Sequence, residues 1–84
     1  MRLLVLSPEC TLLDEEVSVV DLPGAMGRFT VLRGHDNLIS TLVEGVIRYL
    51  PMTSAASDEK EMLEIDGGFV EVRNDVITVC VDLW

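Results

Sequence analysis

The one histidine of this chain, His35, is followed directly by Asp36. A His-Asp doublet can ligate metal in some hydrolases, and a histidine held by a carboxylate can activate a nucleophile. The first chemistry needs further His and Asp ligands, and the sequence supplies none in a ligating pattern. The second needs a nucleophile in a defined setting, whereas Ser40 and Thr41 lie nearby without a motif around them. His35 therefore reads as a turn residue bonded to local backbone, and an enzyme built on His35-Asp36 is kept as an alternative. Asp14-Glu15-Glu16 and Asp58-Glu59-x-Glu61 are acidic clusters. Paired carboxylates can do acid–base work or hold calcium, but these have no calcium-loop spacing and read as solvated faces. Gly24-x-x-Gly27 lacks the Gly-x-Gly start of a dinucleotide fingerprint and precedes a strand, and no phosphate-binding Gly-Lys-Ser/Thr occurs. The residues thus point to no catalytic centre, no metal and no cofactor.

Cys10 and Cys80 form neither a C-x-x-C pair nor a zinc spacing, and both read as small buried hydrophobes. A disulfide between them stays open. The formal net charge is −9. That argues against nucleic acid, whose phosphates want a basic face, and against anionic lipid. Five of the six basic residues are arginines, a type suited to interface hydrogen bonds. Eighty-four residues make one domain, 1–84, with a limited core. With 49% apolar residues, some apolar surface is left for a partner. No run approaches the roughly 18 apolar residues of a membrane span. Met1-Arg2 before Leu3-Leu4-Val5-Leu6 imitates a leader, but the run is too short and Ser7-Pro8-Glu9 is no cleavage site, so it reads as a strand of a cytoplasmic protein.

Positioning falls to short strands. Strands are expected at 3–7, 11–13, 16–22 and 28–32, the third alternating Val17, Val19 and Asp21 against Ser18, Val20 and Leu22. Pro23-Gly24 stops that strand and Gly34-His35 turns the chain. Residues 36–43 carry some helical spacing, but Ile39, Thr41 and Val43 decide for a strand. Gly45 breaks it before a strand at 46–50. Residues 51–60 read as an exposed hairpin loop. Strands follow at 61–66, 69–73 and 76–82, with Gly67-Gly68 as a bulge or kink and Asn74-Asp75 as a two-residue hairpin turn. Turns every eight to twelve residues mark an all-β fold, a small antiparallel β-sandwich or flattened barrel of about eight to ten strands. A small ligand-binding β-barrel with an apolar cavity is the second alternative; an oligonucleotide-binding barrel is disfavoured by the charge. Trp84 packs on the sandwich edge or meets a partner.

Three glycines around one apolar run make 24–35 the most constrained segment. Its pattern, Leu-Pro-Gly-x-x-Gly-x-Phe-x-Val-Leu-x-Gly-His, is followed downstream by Gly-Gly-Phe-Val-Glu-Val. In order and spacing this resembles the epsilon subunit of F-type ATP synthase, from Val5-Leu6-Ser7-Pro8-Glu9 to Val76-Ile77-Thr78-Val79. The resemblance implies the N-terminal β-sandwich of a non-catalytic rotor subunit in the central stalk. Its implied partners are the gamma subunit and the proteolipid ring, with no nucleic acid and no direct lipid insertion. Its implied place is the cytoplasmic face of the plasma membrane, held peripherally as part of a proton-translocating synthase. By position in the pattern, Arg28, Phe29 and Arg33 are expected on the ring side, and His35, Leu38 and Ser40 on the gamma side. Arg28 stands where many relatives are acidic, and Arg33 replaces the proline of Pro-Gly-His. Asp36-Asn37-Leu38 stands for Ala-Pro-Leu, and Cys80-Val81-Asp82 for Leu-Ala-Asp. The family usually continues into a C-terminal helical hairpin that can inhibit ATP hydrolysis; if Trp84 is the natural end of the protein, that inhibition is expected to be missing.

Overall fold

Leu3, Val5, Val17, Val20, Leu22, Val31, Ile47, Val70, Val72, Ile77 and Val79 are shielded from solvent almost completely in the computed structural model, which describes residues 1–55 and 58–81. β-Branched side chains dominate this core because they fit a pleated, buried surface. They come from eight strands among the described residues: β1 (Arg2–Leu6), β2 (Thr11–Gly24), β3 (Gly27–Leu32), β4 (Leu38–Leu42), β5 (Gly45–Pro51), β6 (Glu61–Ile65), β7 (Gly68–Arg73) and β8 (Val76–Val81). No helix occurs among the described residues. The strands are hydrogen-bonded in the order β1-β8-β7-β4-β2-β5-β6, with β3 also on β2. A further β1–β2 pairing closes the sheet on itself, which gives the flattened barrel. The pairings are antiparallel except β1–β8, which is parallel.

The separate strands expected at 11–13 and 16–22 are one strand of 14 residues, β2. Asp14 and Glu15 do not interrupt it, because they pair with Leu4 and Leu3 of β1 and keep their carboxylates outside. The expected alternation of 16–22 also fails. The β2–β5 register shifts between Val17 and Val19, and this bulge lets Val17 share the interior with Val20 and Leu22 while Val19 and Asp21 turn outward. The Ser18 hydroxyl donates to the Leu50 carbonyl at 3.4 Å within the irregularity. Pro23-Gly24 does not stop the strand but ends it in register with Arg28 and Gly27. Gly45 likewise begins β5 rather than breaking β4, in a position where a Cβ would come within 3.0 Å of the Pro23 Cβ.

The other turns match their residue chemistry. Asn74 and Asp75 have φ of 50° and 66°, the double left-handed turn that Asn and Asp tolerate. Gly68 has φ of 141°, and a Cβ there would stand 2.0 Å from the Cys80 carbonyl oxygen, so β7 and β8 pass too closely for any side chain. In the expected 51–60 loop, Ser54 N donates to Pro51 O and Asp58 N to Ala55 O; residues 56 and 57 lie outside the described residues, as do Asp82 and Trp84. The cysteines correct the sequence reading. Cys10 is exposed in the Ser7–Cys10 turn, where its amide donates to the Ser7 hydroxyl at 3.2 Å, and Cys80 is half-buried; both are free thiols.

Candidate interaction surfaces

The 24–35 segment is a hairpin stretched along the sandwich, not a compact site. Gly24 faces Gly27 across a two-residue turn, Ala25-Met26, and β3 then runs to Leu32. Four strand steps, roughly 13 Å, run from Arg28 to Leu32, and Arg33 follows in the turn beyond β3. The three residues expected on one partner side are therefore not brought together. Arg28 lies at the turn end, and its guanidinium donates to the Val46 carbonyl at 2.8 Å. The Phe29 ring packs against the core over Gly24, where a Cβ would come within 2.8 Å of the ring. Arg33 lies at the opposite end beside Gly34, His35, Asp36, Asn37, Asn74 and Asp75, which line one shallow depression with it.

That depression is tied by backbone donors. Gly34 N donates to the Asp75 carboxylate at 3.2 Å, and Asn74 N to the Asn37 side-chain oxygen at 3.2 Å. The His35 ring nitrogen Nδ1 donates to the Asp36 carbonyl at 2.7 Å, so this nitrogen carries its proton and serves the turn. Ser40 donates to the Thr41 carbonyl at 3.2 Å, so the His35 ring of the His35-Asp36 alternative and the nearby Ser40 hydroxyl are each bonded to local backbone. Among the described residues, no three His, Cys, Asp or Glu side chains are grouped to hold a metal. Leu22, Ile47, Val70 and Ile77 are shielded from solvent in the interior, where the ligand-binding barrel would need its apolar cavity.

On β4 the register separates two faces. Leu38 stands opposite Val72 and Ser40 opposite Val70, both buried partners, so these two residues belong to the core side; Leu38 packs against the core. Ile39 and Thr41 stand opposite Glu71 and Phe69 on the outer side. Ile39 is 75% exposed and Phe69 53%. As diagonal neighbours across β4 and β7 they lie within side-chain reach. The row continues through Cys80 of β8, paired with Phe69, to Leu6 of β1, paired with Cys80. Leu6, Pro8, Phe69, Cys80 and Val81 line an open, mainly apolar groove of about 300 Å³ there. At the edge of this face, Arg2 grips Asp14 through two hydrogen bonds of 2.8 and 2.7 Å, which hold the Asp14 carboxyl below its usual range. The sequence reading missed Ile39, Phe69 and the wholly exposed Met26. The signal was available for Ile39, since strand alternation puts a residue flanked by Leu38 and Ser40 on the opposite face.

The tip is bonded to this same face. Val43 N donates to Pro23 O, and Ala25 N to Thr41 O, each at 2.9 Å. Gly24 pairs with Leu42.

Residues 1–83 match the family model described as ATP synthase, Delta/Epsilon chain, beta-sandwich domain. The ATP synthase epsilon chain of Magnetococcus marinus is 41% identical over 78 residues, covering 93% of this chain and 53% of that one. The epsilon chain of Helicobacter pylori strain 26695 is 35% identical, covering 98% and 63%. The chain thus spans little more than half the length of these relatives. Among solved structures, a chain of the Tetrahymena thermophila mitochondrial ATP synthase central stalk and ring superposes with a TM-score of 0.79 at 15% identity, covering all of this chain and 65% of that one. A chain of the Euglena gracilis mitochondrial ATP synthase gives 0.82 at 22% identity, covering 94% and 48%. At these identities the structures share the fold.

Proposed function

The chain belongs to the family of ATP synthase delta/epsilon chain β-sandwich domains, and from that membership we propose that it is a non-catalytic subunit of the central stalk. In this reading it couples the gamma subunit to the proteolipid ring of a proton-translocating F-type synthase. It sits peripherally at the cytoplasmic face of the membrane; no helix long and apolar enough to cross a membrane occurs among the described residues. The role is mechanical, and it needs a rigid core and two separate contact surfaces.

The observation that carries the reading is the outer face of β4 and β7. A monomeric soluble domain leaves large apolar side chains scattered, whereas Ile39 and Phe69 stand exposed beside the groove of Leu6, Pro8 and Cys80. We assign this face to gamma, with His35 at its rim and Leu38 and Ser40 fixing the strand that presents it. The hairpin tip is assigned to the ring, where Arg28 and Phe29 shape it from within. Arg33 lies at the far end of β3 and belongs to the rim near His35. The test is co-purification of the full chain with the gamma subunit from the same genome, read on size exclusion. A one-to-one peak is expected; two separate peaks at micromolar concentration would overturn the reading.

A further inference from the structure

Pro23 lies inside β2 and has no amide hydrogen to give. The Pro23 carbonyl accepts from Val43 and the Ala25 amide donates to Thr41, so odd-numbered residues here turn their backbone groups toward β4 and β5. An amide on residue 23 would point the same way. The β2–β5 ladder runs from Val17 opposite Pro51 to Asp21 opposite Arg48 and ends there. Two more steps of that register bring Pro23 opposite Val46. The proline therefore deprives the Val46 carbonyl of its ladder donor, in a place where a Cβ on residue 45 would already come within 3.0 Å of the proline ring. Arg28, paired with Pro23 from the β3 side, supplies the missing donor across the strand: its guanidinium reaches the Val46 carbonyl at 2.8 Å.

We infer that Arg28 is a positioning residue that replaces the amide hydrogen Pro23 lacks and clamps the β2–β3 hairpin to β5, while the uncharged Met26 makes the outward contact of the tip. The guanidinium at this end is turned inward onto a backbone carbonyl. The side chain presented at the turn is Met26, wholly exposed between Ala25 and Gly27, with exposed Val43 on the loop bonded to Pro23. A partner meeting this tip meets a thioether and a methyl surface, and the partner chemistry that fits is an apolar or uncharged polar loop. The Met26 assignment rests on the ring-side reading above; the clamp does not.

The experiment is a double-mutant cycle in the full-length protein, using Arg28→Met, Pro23→Ala and both together, with Met26→Asp alongside. Each is melted, then titrated against the detergent-solubilised proteolipid ring from the same source. Arg28→Met is expected to lower Tm by about 4–8 °C, the effect of one lost hydrogen bond in a domain of this size. In the Pro23→Ala background the same change should cost far less, because the alanine amide now reaches Val46. Strict additivity would overturn the clamp. Met26→Asp should leave Tm unchanged and weaken ring binding by about tenfold or more, while the stable double variant binds as the wild type does. A double variant that is stable yet no longer binds the ring would show that the guanidinium is itself the contact. Wild-type protein that never binds the ring would sink the ring-side reading and the Met26 assignment with it, and the melting cycle would still decide the clamp.

Discussion

Replacing Phe69 by serine should loosen the complex with the gamma subunit by roughly 30-fold. Phe69 is 53% exposed on the outer face of β7. An aromatic side chain covers about 150–250 Å² when fully buried, so about 100 Å² of the ring remains for a partner to cover. At about 25 cal/mol per Å² this is worth about 2.5 kcal/mol. Serine keeps the Cβ, which leaves a loss of about 2 kcal/mol, or roughly 30-fold in Kd. The assay is calorimetric titration of the full chain into gamma, performed well below the melting temperature, because the buried half of the ring also supports the fold. Ile39→Thr serves as the companion variant. Its side chain is 75% exposed, and threonine preserves the β-branch, so binding should fall while melting barely moves. A Kd within threefold of wild type for Phe69→Ser would refute the assignment of this face.

Gly68→Ala should abolish cooperative melting, since the new Cβ would stand 2.0 Å from the Cys80 carbonyl at a φ of 141°. Gly27→Ala, with φ of 122° and open space around it, should cost only the conformational strain of about 1–3 kcal/mol; a Gly68→Ala melt close to wild type would refute the close-approach argument. Burial pushes the Asp21 carboxyl up, but hydrogen bonds from Lys60 at 2.8 Å and Thr30 at 2.6 Å, with the Lys60 and Arg28 charges, outweigh it and hold it below its usual range. Its folded pKa therefore lies below the unfolded value, so the stability it contributes is present above about 3.9 and is lost as pH falls through the folded value. Lys60→Met should raise the Asp21 pKa in a carboxyl NMR titration and destabilise the protein at neutral pH but not in strong acid; an unmoved Asp21 titration would refute the pairing.

The valine-rich alternation and the turn residues made the all-β fold and most strand positions legible. Asn74-Asp75 and Gly67-Gly68 could be read because each turn or close approach needs a particular backbone, and few residues supply it. β2 could not be read whole. Asp14, Glu15 and Pro23 are residues that usually end strands, and only pairing with β1 and β3 shows that their polar groups sit harmlessly outside or are replaced. The bulge at Ser18 reversed the expected faces, and no local signal in 16–22 marks it, because Val17, Val19 and Val20 are interchangeable to a pattern of apolar positions. The same ambiguity hid the proposed interaction face. β4 carries apolar residues on both sides, and the family pattern singled out Leu38, whereas Ile39 is the exposed one. Arg28 was visible as a departure from the family pattern, yet its partner lies 18 residues away and follows only from the register that leaves Val46 without a donor.

The register also explains how a load applied at the tip would reach the proposed gamma face. A coupling domain works only if displacement at one contact arrives at the other without being absorbed by a compliant loop. Here the tip does not hang on its hairpin alone. Ala25 donates to Thr41, Val43 donates to Pro23, and Gly24 pairs with Leu42, so the turn is bonded directly to β4 and its flank. β4 is the strand that presents Ile39, and its neighbour β7 presents Phe69 through five consecutive paired residues. The Arg28 guanidinium adds β5 to the same junction. Force entering at Met26 therefore passes into two ladders at once, and the segments between tip and face are strands whose inner sides are locked in the core by Leu22, Leu42 and Val70. Loosening the Pro23–Arg28–Val46 junction would then lower coupling efficiency before it lowered affinity for either partner, because each contact surface would survive while the connection between them softened.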